Sequence, residues 1–271
     1  MAKAPDPPFV LPMDVVEPHV ALSDLRFLLH GWPKVGKTSL ASYFPDAYLL
    51  KTEQGGAALR HHGVAINDWN DMKQAVKALC ATDDLPFKTI VIDTIDRAYE
   101  YLGETVCADN GVTHLSQLKF GKGYEEANKR MHNMLEMLYA KFGVVLTSHS
   151  RMVEESRGAE TVSRITPDLS GSQRKLITGW VDGIVYLMVD ELQEVGEADG
   201  KEKVVGRAVQ HVAVLQGSPY IEAGGRLRHL PPKLNLGRTP AEGFAIFEGA
   251  VKAAADQLVA DYSLLAQAEE K

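Results

Sequence analysis

The chain has 271 residues and a formal net charge of −7, with 45% hydrophobic and 24% charged residues. This length suffices for one large α/β domain with insertions, and the composition is typical of a soluble globular protein. The negative charge argues against a wholly basic protein that coats nucleic acid, but a local basic groove is compatible with it. No apolar run reaches the roughly 20 residues of a membrane span, and no signal peptide opens the chain, so we expect a cytoplasmic protein with no membrane partner. Cys80 and Cys107 lack CxxC spacing and predict reduced thiols.

Short apolar segments alternate with amphipathic segments along the first 150 residues. The predicted strands are 26–30, 47–52, 63–66, 87–93 and 144–149. The predicted helices are 38–44, 71–81, 95–108 and 124–141. Strands that are apolar on both faces and alternate with helices predict an α/β fold, with a mainly parallel sheet covered by helices on both sides.

The two ends of the chain have a different character from this core. Residues 1–24 include a proline-rich stretch and predict a flexible N-terminal arm. Strand patterns at 181–189 and up to 215, around a turn at 197–201, predict an antiparallel hairpin that extends the sheet of a core spanning 25–238. The Thr-Pro-Ala-Glu sequence at 239–242 predicts the start of a C-terminal helix covering 239–271.

The segment from Gly31 to Thr38 fits G-x-x-x-x-G-K-[ST], the phosphate-binding loop (P-loop) pattern, between a predicted strand and a predicted helix. Gly31 and Gly36 allow a backbone whose N–H groups surround an anion, and Lys37 can reach the β- and γ-phosphates. Lys34 is either a further phosphate contact or a solvated loop side chain. The predicted nucleotide-binding residues are Gly31, Trp32, Pro33, Lys34, Val35, Gly36, Lys37, Thr38 and Ser39.

Two acidic residues at strand ends accompany this loop. Asp93 ends an apolar strand, as in a Walker B motif, and is expected beside the P-loop strand, where it and the Thr38 hydroxyl would hold Mg²⁺. The alternative for Asp93 is a cap on the following helix. Glu53 ends the strand after the P-loop helix and is either the base that activates the attacking water or a solvated acid. His149 ends another strand and is either a sensor of the γ-phosphate or a packing residue.

A basic set follows His149 in a predicted loop region covering 150–179. Cations there can neutralise nucleic-acid phosphates, reach the nucleotide of a neighbouring subunit as an arginine finger, or face solvent. Charge alone leaves these three interpretations open. The residues of this set are Arg151, Arg157, Arg164, Arg174 and Lys175.

Together these motifs make residues 25–190 resemble the RecA-like core ATPases. The sequence is similar in particular to phage-encoded proteins that consist of this core alone and are linked to single-strand annealing and recombination. The resemblance implies ATP and Mg²⁺ as cofactors, Lys37, Glu53 and His149 as catalytic residues, and Thr38 and Asp93 as metal ligands. RecA relatives commonly have glutamine where this chain has His149, so the coupling between nucleotide and DNA is expected to differ.

The same resemblance implies partners. It predicts single-stranded DNA bound through the loops after His149, a homo-oligomeric ring or filament, a single-strand-binding protein as a further partner, and the host cytoplasm if the chain is phage-encoded. With about 25 residues before the first strand, assembly would use the core, the arm or the hairpin. The alternatives are a hexameric helicase, a nucleotide kinase and a nucleotide-switched assembly factor without catalysis.

Overall fold

The computed structural model describes residues 20–55, 59–157, 160–198 and 201–269, with the backbone alone at 157, 160, 191–198, 201–208 and 263–269. Residues 1–19 of the predicted arm therefore lie outside the described residues. The last residues before the first strand form a short 3₁₀ turn, Leu22–Asp24.

A single large sheet forms the centre of the protein. Its strands are β1 Arg26–Gly31, β2 Ala47–Lys51, β3 His62–Ala65, β4 Thr89–Asp93, β5 Gly143–Arg157, β6 Glu160–Pro167, β7 Gly183–Ala198, β8 Lys201–Val214, β9 Gly224–Gly225 and β10 Lys233–Asn235. The order is β10-β8-β7-β1-β5-β4-β2-β3, with β6 paired to β5 and β9 to β7. The six strands from β7 to β3 run parallel, which confirms the predicted fold class.

Helices cover both faces of this sheet. They are α1 Lys37–Ala41, α2 Trp69–Ala81, α3 Ile95–Asp109, α4 Lys122–Tyr139, α5 Gly171–Trp180 and α6 Pro240–Glu269. Alternate residues of each central strand enter opposite cores. In β4, Ile90 and Ile92 pack against α2, α3 and α4, whereas Val91 packs on the side of α1 and α6. The double burial explains the continuous apolar runs of the sequence.

Helix starts follow the expected capping chemistry. The Asp68 carboxylate accepts a hydrogen bond from the Asp71 amide at 2.7 Å, at the beginning of α2. Thr94, and not Asp93, caps α3, because the Thr94 hydroxyl accepts the Arg97 amide at 3.4 Å. The capping alternative for Asp93 is therefore wrong.

Two expectations about the sheet are corrected. The strand of Asp93 does not lie beside the P-loop strand, because β5 pairs with both β1 and β4 and separates them. The region after His149 is not a loop, since β5 continues to Arg157 and pairs with β6 before α5 begins. Both differences concern the partners of an element, which local composition does not specify.

The C-terminal part adds to the same sheet and core. Strands β7 and β8 form the predicted antiparallel hairpin, and β10 pairs with β8 at the edge. Helix α6 packs Phe244, Phe247 and Val251 into the core on the α1 side, where Phe247 contacts Phe27 edge to face at 5.4 Å. None of the helices in the described part of the chain is long and apolar enough to cross a membrane.

Candidate nucleotide site

The carboxyl ends of the parallel strands meet at one edge of the sheet. Gly31 ends β1, Asp93 ends β4, and Glu53 follows β2 by two residues. His149 pairs with Gly31 across the β1–β5 ladder, so it lies at the same edge. The fold therefore brings the P-loop, both acids and His149 together, as the sequence predicts for ligands of open α/β sheets.

The loop needs glycine at its two fixed glycine positions for different reasons. A Cβ at Gly31 would lie 2.4 Å from the Leu187 carbonyl oxygen and 2.8 Å from Val35 Cγ2, so no side chain fits beside β7. Gly36 has φ 91°, in the left-handed region that disfavours a side chain. These two constraints set the path of the loop into α1.

Lys37 lies inside the loop rather than in solvent. Its Nζ donates to the carbonyl oxygens of Gly31 at 2.9 Å and Trp32 at 3.0 Å, and the residue is 7% exposed. Burial lowers the pKa of Lys37, with the charges of Asp96 and Asp93 opposing that shift. Neutral carbonyl groups thus hold the Lys37 ammonium inside the P-loop, where it could contact a bound phosphate.

Asp93 lies within hydrogen-bond distance of Thr38, the other residue predicted to bind Mg²⁺. Its two carboxylate oxygens each accept from Thr38 Oγ1 at 3.0 Å, and Oδ1 accepts from Thr147 Oγ1 at 2.5 Å. Among the described residues no cation forms an ion pair with Asp93, although it is 7% exposed. Carboxylate and hydroxyl oxygens are the ligands that Mg²⁺ prefers, so Thr38 and Asp93 fit this ion.

A second polar cluster consists of Glu53, Asp96 and His149. His149 Nδ1 lies 2.9 Å from Asp96 Oδ2 and 3.5 Å from Glu53 Oε1, and the His149 amide donates to Asp96 Oδ1 at 3.4 Å. The ligand atoms of all three lie within 4.8 Å of one another, so the cluster could also hold a metal ion. The hydrogen bond that His149 donates to Asp96 raises the pKa of His149, while burial lowers it. Burial raises the pKa of Glu53, with His149 opposing that shift.

Backbone contacts fix the position of Glu53. Thr52 Oγ1 donates to the Thr94 carbonyl at 2.9 Å and accepts from the Thr94 amide at 2.8 Å, which joins the ends of β2 and β4. Thr94 Oγ1 then lies 3.4 Å from Glu53 Oε1, and Tyr101 Oη donates to the Thr52 carbonyl at 3.2 Å. The hydrogen bonds between the ends of β2 and β4 therefore hold Glu53 in position.

Asp96, Thr52 and Thr94 were not identified from the sequence. Asp96 lies three residues after Asp93, in the first turn of α3, and a second acid so close to the strand end was the available signal. The two threonines had no such signal, because their role is a hydrogen bond between strands that are 42 residues apart.

A small cavity adjoins the other side of the P-loop. Its volume is about 210 Å³, and its walls come from the loop, the start of α1, β8 and the start of α6. Ser39 lines it, as do Lys34, Val35 and Gly36. His211 of β8 faces Gly36 there, and sequence reasoning did not find it because nothing links 211 to the motif except the fold.

The predicted basic set lies on the β5–β6 hairpin and α5, where acids of the same chain pair with it. Arg151 lies 3.7 Å from Asp168, Arg164 lies 3.6 Å from Glu155, and Arg174 contacts Glu155 and Glu222 at 3.6 and 3.8 Å. Lys175 is exposed on α5. The side chain of Arg157 lies outside the described residues. A nucleic acid or a neighbouring subunit would have to compete with these ion pairs.

The fold and the site define a protein of the P-loop NTPase class with a mainly parallel sheet. The sequence profile of the AAA domain family matches residues 23–227, and the chain belongs to this family. A search of curated proteins finds no significant match.

Solved structures show a more distant likeness. The RadB recombinase is 16% identical with a TM-score of 0.41, over 71% of this chain and 80% of that protein. The KaiC-like protein PH0186 from Pyrococcus horikoshii OT3 is 15% identical with a TM-score of 0.36, over 71% of this chain and 78% of that protein.

Proposed function

We propose that this chain is a Mg²⁺-dependent ATPase that binds single-stranded DNA and promotes annealing or strand exchange in the cytoplasm, as a homo-oligomeric ring or filament. The observation that carries the ATPase half is the pair of strand-end acids. Asp93 is buried against two hydroxyls, while Glu53 lies on the neighbouring strand with a raised pKa. Asp93 is thus suited to binding a metal ion, and Glu53 is suited to accepting a proton.

The chain's own residues account for the parts of a hydrolysis reaction. Lys37 and the loop amides bind the β- and γ-phosphates, and Thr38 and Asp93 hold Mg²⁺, which neutralises phosphate charge when bound. A water oxygen attacks the γ-phosphorus, the bond to the β–γ bridging oxygen breaks, and Glu53 accepts the proton of the water. The raised pKa of Glu53 makes it a better base than a solvated glutamate.

Strand β5 supplies a connection from the nucleotide to the proposed DNA surface. Thr147 contacts Asp93, His149 contacts Asp96 and Glu53, and the same strand continues into the β5–β6 hairpin. A change in the contacts of His149 when the γ-phosphate leaves would therefore reach the hairpin through one strand. Arg151 lies on β5 itself, Arg164 on β6, and Arg174 and Lys175 on α5.

The ATPase half is tested by measuring nucleotide binding and phosphate release separately. Lys37→Ala should weaken ATP binding by about a hundredfold or more, because it removes the ammonium inside the loop. Glu53→Gln should keep ATP binding and lose about a hundredfold in turnover, since the amide cannot take a proton. Glu104→Gln, on the exposed face of α3, is the matched control and should change neither.

Unchanged turnover in Glu53→Gln would contradict a catalytic role for Glu53, whereas ATP binding without any turnover in the wild type would favour a nucleotide switch. Phosphorylated nucleoside monophosphate in place of free phosphate would indicate a kinase. The DNA half is tested by filter binding of single-stranded DNA at low salt with ATP and Mg²⁺. Binding that does not respond to ATP contradicts the proposed coupling.

A further inference from the structure

Phe120 is the most exposed large hydrophobic side chain among those that the structure describes, with 96% of its surface accessible. It lies in the 3₁₀ turn Lys119–Gly121 that precedes α4. Burying a phenylalanine is favourable by about 2 kcal/mol, so an aromatic ring placed wholly in water has no role in the stability of this chain. The site described above does not use it.

The backbone at this position is also unusual. Phe120 has φ 59° and ψ 29°, in the left-handed region, which a bulky residue rarely adopts. Gly121 follows with φ 72° and would take such a conformation at no cost. The turn therefore holds the ring outward at a conformational cost, where a partner can reach it.

The charges around the ring favour an anionic partner. Lys119 precedes the ring directly and Lys122 follows it by two residues, and Tyr124 adds a second aromatic side chain that is 37% exposed. The segment 111–130 contains four lysines and arginines and two glutamates, in a chain whose net charge is −7. Arg130 is paired with Glu126 and also with Asp109, which lies just before this segment. The other charged side chains of the segment are three lysines and one glutamate. The turn therefore forms a locally basic surface on which two aromatic rings, those of Phe120 and Tyr124, are accessible.

The turn also lies on the nucleotide side of the fold. Helix α4 packs on the sheet through Met131, Leu135 and Leu138, and it ends shortly before β5 begins. Its first turn is thus directed toward the edge where β1 and β4 end. The β5–β6 hairpin leaves the sheet from that same edge.

We propose that Phe120 is a stacking contact for the bases of a single-stranded nucleic acid, with Lys119 and Lys122 contacting the flanking phosphates. Aromatic rings stack on any base, and lysines neutralise phosphates without reading sequence, so this surface would bind single strands regardless of sequence. The inference rests on the DNA half of the proposed function and is independent of the chemistry at Glu53.

The test is the affinity for a labelled oligothymidine, measured by fluorescence anisotropy with a non-hydrolysable ATP analogue and Mg²⁺. Phe120→Ala should weaken binding about tenfold, whereas Phe120→Trp should retain it, since indole also stacks. Phe120→Gly removes the ring and suits the left-handed backbone, so it should match the alanine variant and remain folded. Tyr262→Ala removes another exposed aromatic residue, 52% accessible on α6, and should bind as the wild type does.

The lysines are tested by the salt dependence of the same binding. The double variant Lys119→Gln/Lys122→Gln should reduce the slope of log affinity against log salt by about 1.4, for two released counterions on a single strand. An unchanged slope would contradict phosphate contacts at this turn.

The outcomes separate this inference from the proposed function. Wild-type-like DNA binding by Phe120→Ala overturns the inference, and an altered oligomeric mass of that variant would then identify the turn as a subunit contact. ATP turnover without any single-strand binding overturns the inference and the DNA half but retains the ATPase. Loss of DNA binding in Phe120→Ala, with wild-type ATP affinity and turnover without DNA, supports the inference. That result would hold even if Glu53→Gln contradicted the proposed mechanism.

Discussion

The two ends of β1 lie near two buried aspartates with very different partners. Near its end, Asp93 is 7% exposed and accepts hydrogen bonds from the hydroxyls of Thr38 and Thr147. At its beginning, Asp182 is 8% exposed and is bound by the guanidinium groups of Arg26 and Arg226 at 2.7 and 2.6 Å. The burial is equal, so the difference lies in the charge that each carboxylate meets.

The Asp182 cluster is a closed structural unit. The Arg26 amide and Nε both donate to Asp182 Oδ2 at 2.9 Å, and its guanidinium carbon lies 4.3 Å from the ring centre of Tyr139 and 5.1 Å from that of Trp180. Both oxygens of the Asp182 carboxylate are therefore already fully hydrogen-bonded to groups of the chain. Among the described residues no cationic side chain forms an ion pair with Asp93. An exchangeable cation could therefore neutralise this carboxylate.

The largest expected effect comes from Asp93→Asn. Turnover with Mg²⁺ should fall on the order of a thousandfold, because the metal loses its charged ligand. The thermal midpoint without Mg²⁺ should not fall, since the change removes a buried charge that has no ion-pair partner in the described chain. Phosphate release and thermal unfolding on the same sample measure both effects. A large loss of stability would mean that Asp93 is structural, as Asp182 is.

Asp182→Asn should have the opposite profile. Leaving Arg26 without its buried partner should cost about 3 kcal/mol of unfolding free energy. ATP affinity per folded molecule should stay unchanged, because the cluster is at the far end of β1. Chemical denaturation and nucleotide titration measure the two quantities. Altered ATP affinity in the folded variant would show that the two ends are coupled.

The stability of Asp182→Asn at acidic pH provides a further test of the difference between Asp182 and Asp93. Burial raises the pKa of Asp182, but the hydrogen bonds from Arg26 outweigh it and hold the pKa below the ordinary aspartate value. The stabilisation is therefore fully present above that ordinary value and is lost as the pH falls through the lowered pKa. The stability difference between wild type and Asp182→Asn should narrow in that acidic range only.

Asp96→Asn should act more weakly and with the reverse pH dependence. The pKa of His149 is raised by Asp96, so the pair stabilises the fold below the ordinary histidine pKa and this contribution disappears as the pH rises through the raised value. The variant should bring the pKa of His149 down, as seen by NMR titration, and cost about 1 kcal/mol on the acid side. If the pKa of His149 in the variant equals the wild-type value, the hydrogen bond to Asp96 is not the cause of the raised pKa.

The smallest expected effect is that of Arg226→Gln. The Arg226 side chain is 58% exposed, against 15% for Arg26, so solvent screens its bond to Asp182. Its loss should cost less than about 1 kcal/mol of unfolding free energy. A cost equal to that of Asp182→Asn would show that both arginines are needed to neutralise the buried carboxylate.

The motif-based part of the site was predictable, and the contact-based part was not. The P-loop glycines, Lys37 and Asp93 carry constraints that are local in sequence, and the structure brings them together with Glu53 and His149. His211 joins the site through packing between elements distant in sequence, and the contact of Asp96 with His149 spans 53 residues. The basic set shows the converse, since its positive charge is evident in the sequence while the pairing of Arg174 with Glu155 and Glu222 appears only in the fold.

The sequence by itself determined the parallel α/β class, the phosphate-binding loop and the acidic strand ends. Periodicity and local motifs encode these features, because they depend on burial and backbone geometry within a few residues. Only the tertiary structure decided that β5 separates β1 from β4, that the segment after His149 is a hairpin, and which carboxylates meet a fixed cation. The strand order and the ion pairs depend on contacts across more than 40 residues, where many partners of equal local propensity compete and packing of the whole chain selects one. The β5–β6 hairpin pairs residues that are close in sequence, from Arg157 with Glu160 to Ser150 with Pro167, and there the polar composition did not distinguish strand from loop.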